Sequence, residues 1–542
     1  MSNASVSQPL TLSDTLCQRA RLSRDRRFDG KFYVAVVTTG IYCRPICPAK
    51  AANEANVRYF LHAANAAAAG FRPCLRCCPD AAPASLRWLG SAKHLHQASQ
   101  LCLQVSPVTG AFYRMEEIAE QLGVTSHYIR QLSQQYLGMG LTQFRLHQQL
   151  LMAKQLLHRS DLTFEQVAVY SGFNSMRSFN DACKTKLGKT PSDIRRALNK
   201  HISNPNNCSN LVQFHVGYRP PYDWQHAISF LAKRCISGMA RSDGINRYTT
   251  TIDNNHIKGL VEITHQGEQC RFALKFWPHP DCDHLPVLAL HQWARHFLDA
   301  DADSHVIDEH LRQLLGHSAK PGLRLVQTVT PFEALCRAVL GQQVTLSFGV
   351  KLINLLVAKF AEPWQVNGES YCFFPTPTAI AASDLSFLPI PKARQQSLQA
   401  LAQLWVDCPA PQAADWLQVK GIGPWTCDYG AMRGLGDTDR FLVGDAVIKK
   451  YLAALINRGK MSVNGDSLHI GSFNIDHAAV EEDSTLLAAN NDAAMAMHKI
   501  DIHQVNASIT PAELSALWQQ QIRPWGSYLT HQIWALAAGN VA

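Results

Sequence analysis

Four cysteines in two close pairs constrain the first part of this 542-residue chain more than any other feature. Cys43-x3-Cys47 is followed, after 26 intervening residues, by Cys74-x2-Cys77. Two such pairs supply four soft thiolate donors, the set that one tetrahedral zinc ion prefers, and a metal so held staples a unit too small to be stable on its own core. A closed structural site satisfies the spacing by itself. Sixteen cysteines are too few for a disulfide scaffold at this length, so the pairs read as metal or thiolate chemistry in a reducing compartment. Cys78, adjacent to Cys77, stands as an alternative fourth ligand.

Composition contributes exclusions. A hydrophobic content of 46% with 17% charged residues excludes a mainly disordered chain. No apolar run approaches the roughly 18 residues of a membrane helix, and the start, MSNASVSQPLTLSDTLC, lacks a basic segment followed by an apolar one. The expectation is a cytoplasmic protein. Charge is unevenly spread: residues 1–200 hold 25 Lys+Arg against 12 Asp+Glu, a net +13, and the other 342 hold 26 against 30, a net −4. The basic third predicts a polyanionic partner such as nucleic acid.

Periodicity divides the chain into α/β and all-α parts. Residues 1–83 alternate over Phe32 to Val37 and read as a small α/β unit. Residues 84–200 show helical spacing (Ile118, Leu122, Ile129, Leu132), 201–210 is a polar linker, 211–325 mixes strand runs with a helix near Trp224, and 326–542 is helical again. Within the last part, 457–508 breaks the pattern and is expected to be a mobile insertion.

The segments TTGIYCRPICPAK (Thr38 to Lys50) and GFRPCLRCCPD (Gly70 to Asp80) resemble the N-terminal zinc domain of the Ada family of DNA alkylation-repair regulators. The resemblance implies that Cys43, Cys47, Cys74 and Cys77 hold zinc and that Cys43 also accepts a methyl group from a DNA methylphosphotriester. A metal-bound thiolate in an all-sulfur shell stays nucleophilic toward a methyl carbon. Lys50, Arg72 and Arg76 read either as phosphate contacts or as a solvated basic surface.

Met115 to Gly138 places a helix, a turn at Gly123 and a second helix led by Ser126, His127 and Arg130. A similar unit recurs over Phe164 to Arg196, with Gly172 at the turn and Arg177, Asn180 and Lys184 beyond it. Two helix-turn-helix units of this spacing, ended by GKTPSDIRR, resemble the AraC-type DNA-binding domain. Arg130 and Arg177 are the expected DNA contacts, to phosphate or base.

WLQVKGIGPWTCDYGAMRG (Trp416 to Gly434) sets Gly421-Ile422-Gly423-Pro424 between helical patterns, and Asp445 follows 22 residues after Gly423. Backbone N–H groups at such a helix start bind phosphate without side-chain charge, and Asp445 by itself reads as a helix N-cap. The hairpin with its late aspartate resembles the helix-hairpin-helix DNA glycosylase superfamily. YRPPYDW (218–224), ALCRAVLGQQVT (334–345), CFFPTP (372–377) and RPWGSYLTHQIW (523–534) narrow this to the AlkA-type 3-methyladenine DNA glycosylase II.

That resemblance implies a catalytic Asp445, a base pocket of Phe230, Trp425, Tyr429 and Trp525, DNA contacts at Gly421 and Gly423, and a duplex-probing loop at Gln342 and Gln343. Position 343 is a bulky apolar wedge in some relatives. Trp425 stands where strand-cleaving superfamily members carry a lysine, so a monofunctional enzyme needing no cofactor is expected. The PCHR-type motif of O6-alkylguanine methyltransferases is absent from the sequence.

The chain thus reads as a multidomain α/β and all-α fusion: a four-cysteine zinc domain, an AraC-type double helix-turn-helix, an AlkA N-terminal α/β domain and a helix-hairpin-helix glycosylase domain. Alkylated duplex DNA, promoter DNA and RNA polymerase are the expected partners of a monomer that is not membrane-bound. A regulator with an inactive glycosylase portion, or a repair enzyme tethered by its N-terminal half, are the competing readings.

Overall fold

The computed structural model describes residues 12–470 and 523–539, apart from 26–27, 62, 80–92, 105–110, 161, 197–210, 255–256, 283–286, 409, 458–460 and 465–466. Among the described residues no helix is long and apolar enough to cross a membrane.

The first unit comprises α1 (Asp14–Ser23), β1 (Tyr33–Val36), β2 (Ile41–Cys43), β3 (Val57–Phe60), α2 (Ala63–Ala68) and β4 (Arg72–Pro73), with strand order β3-β1-β2-β4. Strand alternation splits its apolar residues between two faces. Phe32 and Val34 pack with Cys17 and Ala20 of α1, whereas Tyr33, Ala35 and Tyr42 pack with Ala66 of α2 and Phe71. Both cores are small. β2 pairs in parallel with β4, Ile41 opposite Arg72, which brings the end of β2 beside the chain that leaves β4.

Among the described residues seven α-helices follow: α3 (Lys93–Leu101), α4 (Met115–Gln121), α5 (Ser126–Leu137), α6 (Leu141–Arg159), α7 (Phe164–Tyr170), α8 (Met176–Ala182), continued by a π-helical turn over Cys183–Leu187, and α9 (Pro191–Arg196). Thr125 and Thr163 start α5 and α7 by accepting the Tyr128 and Gln166 N–H groups at 3.2 and 3.1 Å. The turn between α7 and α8 needs Gly172, at φ +84°, where a Cβ would strike the Phe112 ring. Ile118, Ile129, Leu132, Leu156, Val167 and Phe179 fill the core between these helices.

The third unit is an antiparallel sheet of β5 (Val212–Gly217), β6 (Ala240–Ser242), β7 (Arg247–Asn254), β8 (Ile257–Gln266) and β9 (Arg271–Pro278) in the order β5-β9-β8-β7-β6, with α10 (Trp224–Ala232), α11 (Val287–Phe297) and α12 (Ser304–Leu315). The fourth contains α13 (Pro331–Gly341), α14 (Leu346–Lys359), the hairpin β10 (Trp364–Val366) and β11 (Glu369–Tyr371), α15 (Pro377–Ala381), α16 (Lys392–Asp407), α17 (Ala413–Trp416), α18 (Pro424–Gly434), α19 (Ala446–Asn457), β12 (Met461–Asn464), β13 (Ser467–Ile470) and α20 (Gly526–Gly539). Trp416 and Leu335 anchor its core between α13 and α18, and a second core joins α12, α19 and α20 through Ile307, Ile448 and Tyr528.

Within the expected insertion 457–508, β12 and β13 pair antiparallel, Val463 opposite Leu468. Residues 471–508 lie outside the described residues.

Candidate functional site

The sulfur atoms of Cys43, Cys47, Cys74 and Cys77 all lie within 4.8 Å of one another. Cys43 ends β2, Cys74 follows β4, and the parallel pairing of those strands brings the two cysteine pairs together. Cys78 is outside the cluster, at φ +43°, its thiol 3.6 Å from the Leu75 carbonyl. Four sulfurs this close cannot all be thiolates unaided. Hydrogen bonds from Cys43 and then Cys77 push Cys47 down to about 2, while the same sharing pushes Cys43 and Cys77 up. A dication removes that conflict, and the set is geometrically consistent with tetrahedral zinc.

A residue that spacing did not single out supports the cluster. Arg44 is buried; its backbone N–H donates to Cys77 Sγ at 3.3 Å and its Nη1 to the Cys77 carbonyl at 3.1 Å. Its other guanidinium edge pairs with Asp29. Arg44 thereby locks the second cysteine pair onto the first. Lys50, Arg72 and Arg76 are exposed on the same unit.

In the helical block His127 and Arg130 of α5 are exposed, as are Arg177 of α8 and Lys184 just beyond it. Arg130 lies 3.6 Å from Glu116, and Arg177 lies 3.9 Å from Asp181. Exposed pairs of this kind are worth little and are readily exchanged for phosphate.

The hairpin joins α17 to α18. Gly421 has φ +88°, and a Cβ there would collide with Ser397 Oγ; Gly423 caps α18 without a side chain, leaving the helix N–H groups open. Gln342 Nε2 donates to the Gly421 carbonyl at 3.3 Å and to Thr426 Oγ1 at 3.0 Å, tying the loop before α14 to the hairpin. Gln343 is exposed at φ +56°. Non-glycine residues held in this region are found at functional turns.

Asp445 starts α19. Its Oδ1 accepts the Val447 and Ile448 N–H groups at 3.0 and 3.3 Å and the Trp534 indole N–H at 3.2 Å, while Oδ2 has no partner among the described residues. The capping role and a free carboxylate oxygen therefore coexist. Rings lead away from it: Trp534 is 6.4 Å from Tyr429 and 6.3 Å from Phe230, to which it is nearly parallel, and Tyr429 is 5.6 Å from Trp425. Phe230 and Tyr429 thus flank Trp534, and Trp425 extends the run through Tyr429. Trp525 packs edge-on against Tyr528 at 5.7 Å in the core beside α20, and the ring at Asp445 is Trp534, which the sequence reading did not name.

Three family models match the chain: the metal binding domain of Ada over residues 16–80, a helix-turn-helix domain over 118–197 and the AlkA N-terminal domain over 213–330. A probable bifunctional transcriptional activator/DNA repair enzyme AlkA of Mycobacterium tuberculosis is 32% identical over 446 residues, 79% of this chain and 88% of that protein. DNA-3-methyladenine glycosylase 2 of Escherichia coli is 31% identical over 247 residues, 43% of this chain and 85% of its own length. The bifunctional transcriptional activator/DNA repair enzyme Ada of Escherichia coli is 32% identical over 184 residues, 34% of this chain and 49% of its own.

Proposed function

The chain belongs to the family of the probable bifunctional transcriptional activator/DNA repair enzyme AlkA, and from that premise we propose that it releases alkylated purines from DNA through Asp445 and senses methylated DNA phosphate through Cys43. It is a DNA repair and transcriptional-activator protein with an alkylpurine DNA glycosylase part and an Ada-like sensing region.

The partnering of Asp445 carries the glycosylase reading. One carboxylate oxygen is held by two backbone N–H groups and the Trp534 indole, which leaves the other without a partner among the described residues, beside the run of rings. An N3-methyladenine or N7-methylguanine base already bears positive charge, so it departs without a general acid, and the pair of carboxyls used by ordinary glycosidases is unnecessary. Asp445 Oδ2 then stabilises the oxocarbenium-like sugar and orients the attacking water. An opposite charge about 4 Å away is worth roughly 4 kcal/mol at an effective dielectric near 20, about a thousandfold in rate. Phe230, Tyr429 and Trp534, with Trp425, receive the flipped base on π faces that favour a cation. Trp425 offers no amine, so the abasic product is left unbroken.

In the sensor, Cys43, Cys47, Cys74 and Cys77 would hold the zinc ion, which would keep the four thiols deprotonated at neutral pH. The Cys43 sulfur attacks the methyl carbon; the S–C bond forms as the C–O bond breaks, and the phosphodiester departs. The cluster passes from a formal −2 to −1, and weaker repulsion from phosphate tightens the hold on DNA. Arg76, Arg72 and Lys50 supply phosphate contacts. The helical block works as an AraC-type double helix-turn-helix, with Arg130 and Arg177 toward promoter DNA and RNA polymerase recruited by the activated monomer.

Incubation with methylated DNA separates the parts. Asp445→Asn is expected to lower base release at least a hundredfold while methyl transfer to protein persists; Cys43→Ala is expected to abolish methyl uptake and leave base release intact. Wild-type protein that releases no base above background removes the glycosylase reading.

A further inference from the structure

Between α18 and α19 the chain over 435–445 is neither helix nor strand, yet it ends on the carboxylate that the excision reading requires. One face of α20 holds it. Ser527, Thr530 and Trp534 stand at i, i+3 and i+7 of that helix and so share a side. The Ser527 N–H donates to the Thr438 carbonyl at 2.9 Å, and its hydroxyl accepts the Arg440 N–H at 3.1 Å while donating to the Asp437 carbonyl. Thr530 Oγ1 accepts the Leu442 N–H at 3.2 Å and donates back to the Gly526 carbonyl of its own helix at 3.0 Å. The Leu442 carbonyl in turn accepts the Asp445 N–H at 2.8 Å, and Trp534 completes the stripe by donating its indole N–H to Asp445 Oδ1 at 3.2 Å.

Both hydroxyls are fully buried. Gly526 opens α20, and a Cβ there would lie 2.9 Å from the Phe441 nitrogen and 3.1 Å from the Arg440 carbonyl carbon, so helix and loop backbones touch. The neighbours on α20 serve other elements. The buried His531 turns to the Phe230 ring at 5.0 Å, which the buried Arg433 of α18 also approaches at 4.5 Å, and Gln532 exchanges hydrogen bonds with the Lys320 backbone.

A buried N–H without an acceptor is costly, so the Leu442 N–H keeps the loop at the distance where Thr530 accepts it. The remaining side-chain ties of the loop are ion pairs at its rim, Arg440 with Asp437 and Asp428 and Arg523 with Asp439, all on partly exposed side chains. Such pairs give way to solvent and fix a loop less closely. Placement matters here, because a reacting group displaced by about 1 Å can lose about a hundredfold in rate.

We propose that Thr530 is a positioning residue for base release: acting through Leu442 it sets where the Asp445 backbone stands, while Trp534 sets the direction of the carboxylate. This rests on the role given to Asp445 above. Thr530 touches neither substrate nor the reacting atoms, and its whole effect passes through Asp445.

The test uses the full-length protein on methylated DNA in single turnover, with protein in saturating excess, so that an unfolded fraction leaves the rate constant unchanged. Thr530→Val keeps the volume and removes the acceptor. It is expected to lower the rate constant for 7-methylguanine release about tenfold while the protein concentration for half-maximal rate stays as in wild type, and Thr530→Ser is expected to restore most of the loss. In an Asp445→Asn background, Thr530→Val is expected to add nothing, since the group it positions is gone. An unchanged rate constant with Thr530→Val overturns the positioning role, as does an equal tenfold fall on top of Asp445→Asn. Asp445→Asn that releases base as fast as wild type overturns the reading of Asp445 instead.

Discussion

Asp299 is fully buried, and its Oδ2 accepts the Leu325 N–H at 3.0 Å and the Tyr528 hydroxyl at 2.8 Å. Tyr528 lies on α20, the helix that carries His531 and Trp534, so this carboxyl pins that helix to the α/β unit. Desolvation outweighs nearby Arg324 and pushes its pKa up to about 6. A raised carboxyl adds stability below its unfolded pKa and loses it as pH rises through the folded value. Lowering the pH from 7 to 5 should therefore stabilise the wild type relative to Asp299→Asn by about 1 kcal/mol, a comparison in which the other titrating groups cancel. Denaturant unfolding of both proteins at the two pH values checks this, and the absence of any such difference would show that Asp299 is charged in the folded state at both. Asp445, by contrast, combines a cap with a carboxylate oxygen that has no partner among the described residues, and the cap alone explains why helix-start statistics find it without revealing that second oxygen.

At the scale of elements, the hairpin and the helix-turn-helix units were legible because their signals are local: glycine at the turn, threonine at the cap, proline at the helix start. Gly421 makes the point testable. At φ +88° against Ser397, Gly421→Ala is expected to cost roughly 2 kcal/mol or more from backbone strain and overlap. Adding Ser397→Gly should return only the overlap part, and DNA binding should stay weakened; stability of Gly421→Ala equal to wild type in urea unfolding contradicts this. For β12 and β13 the local signal exists, Asn464-Gly465 standing between Met461/Val463 and Leu468/Ile470 in alternation, but the polar run that follows masked it and the segment was read as an insertion. Trp534 was not legible. Trp525 and Trp534 lie nine residues apart in one motif, and which ring faces Asp445 depends on how α20 packs against α19, a tertiary fact that periodicity does not carry. His531 and Arg433 were hidden for the same reason, because a polar residue on a helix is read as exposed until packing shows otherwise.

Across the whole molecule, the basic third and the near-neutral remainder meet at a sheet edge. β5 is an outer strand of its sheet, so one side of its backbone lacks a neighbouring strand. α6 of the helical block covers it: Gln155 Oε1 accepts the His215 N–H at 3.0 Å, and the apolar core runs from Leu150, Leu156 and Leu157 into Val212, Phe214 and Val216 without a break. His96 of α3 also feels the Asp301 carboxylate across this boundary. A carbonyl-type acceptor and apolar side chains supplied by one unit to the bare edge of another are what a permanent contact requires, and the charge split then gains a use. The +13 region holds duplex by phosphate attraction, and the glycosylase, bound to it as one body, is carried to the same duplex although its own charge is −4. Cutting an engineered protease site within residues 201–210 should therefore leave the two fragments co-eluting in gel filtration. Gln155→Glu together with Leu156→Ala should separate them, because the first sets a charge at the buried edge and the second empties core volume. In the cut but associated protein, base release should keep the salt sensitivity of the intact chain, and in the separated glycosylase fragment that sensitivity should flatten. Fragments that part on cleavage alone at micromolar concentration would show that the covered edge contributes too little to hold the halves together.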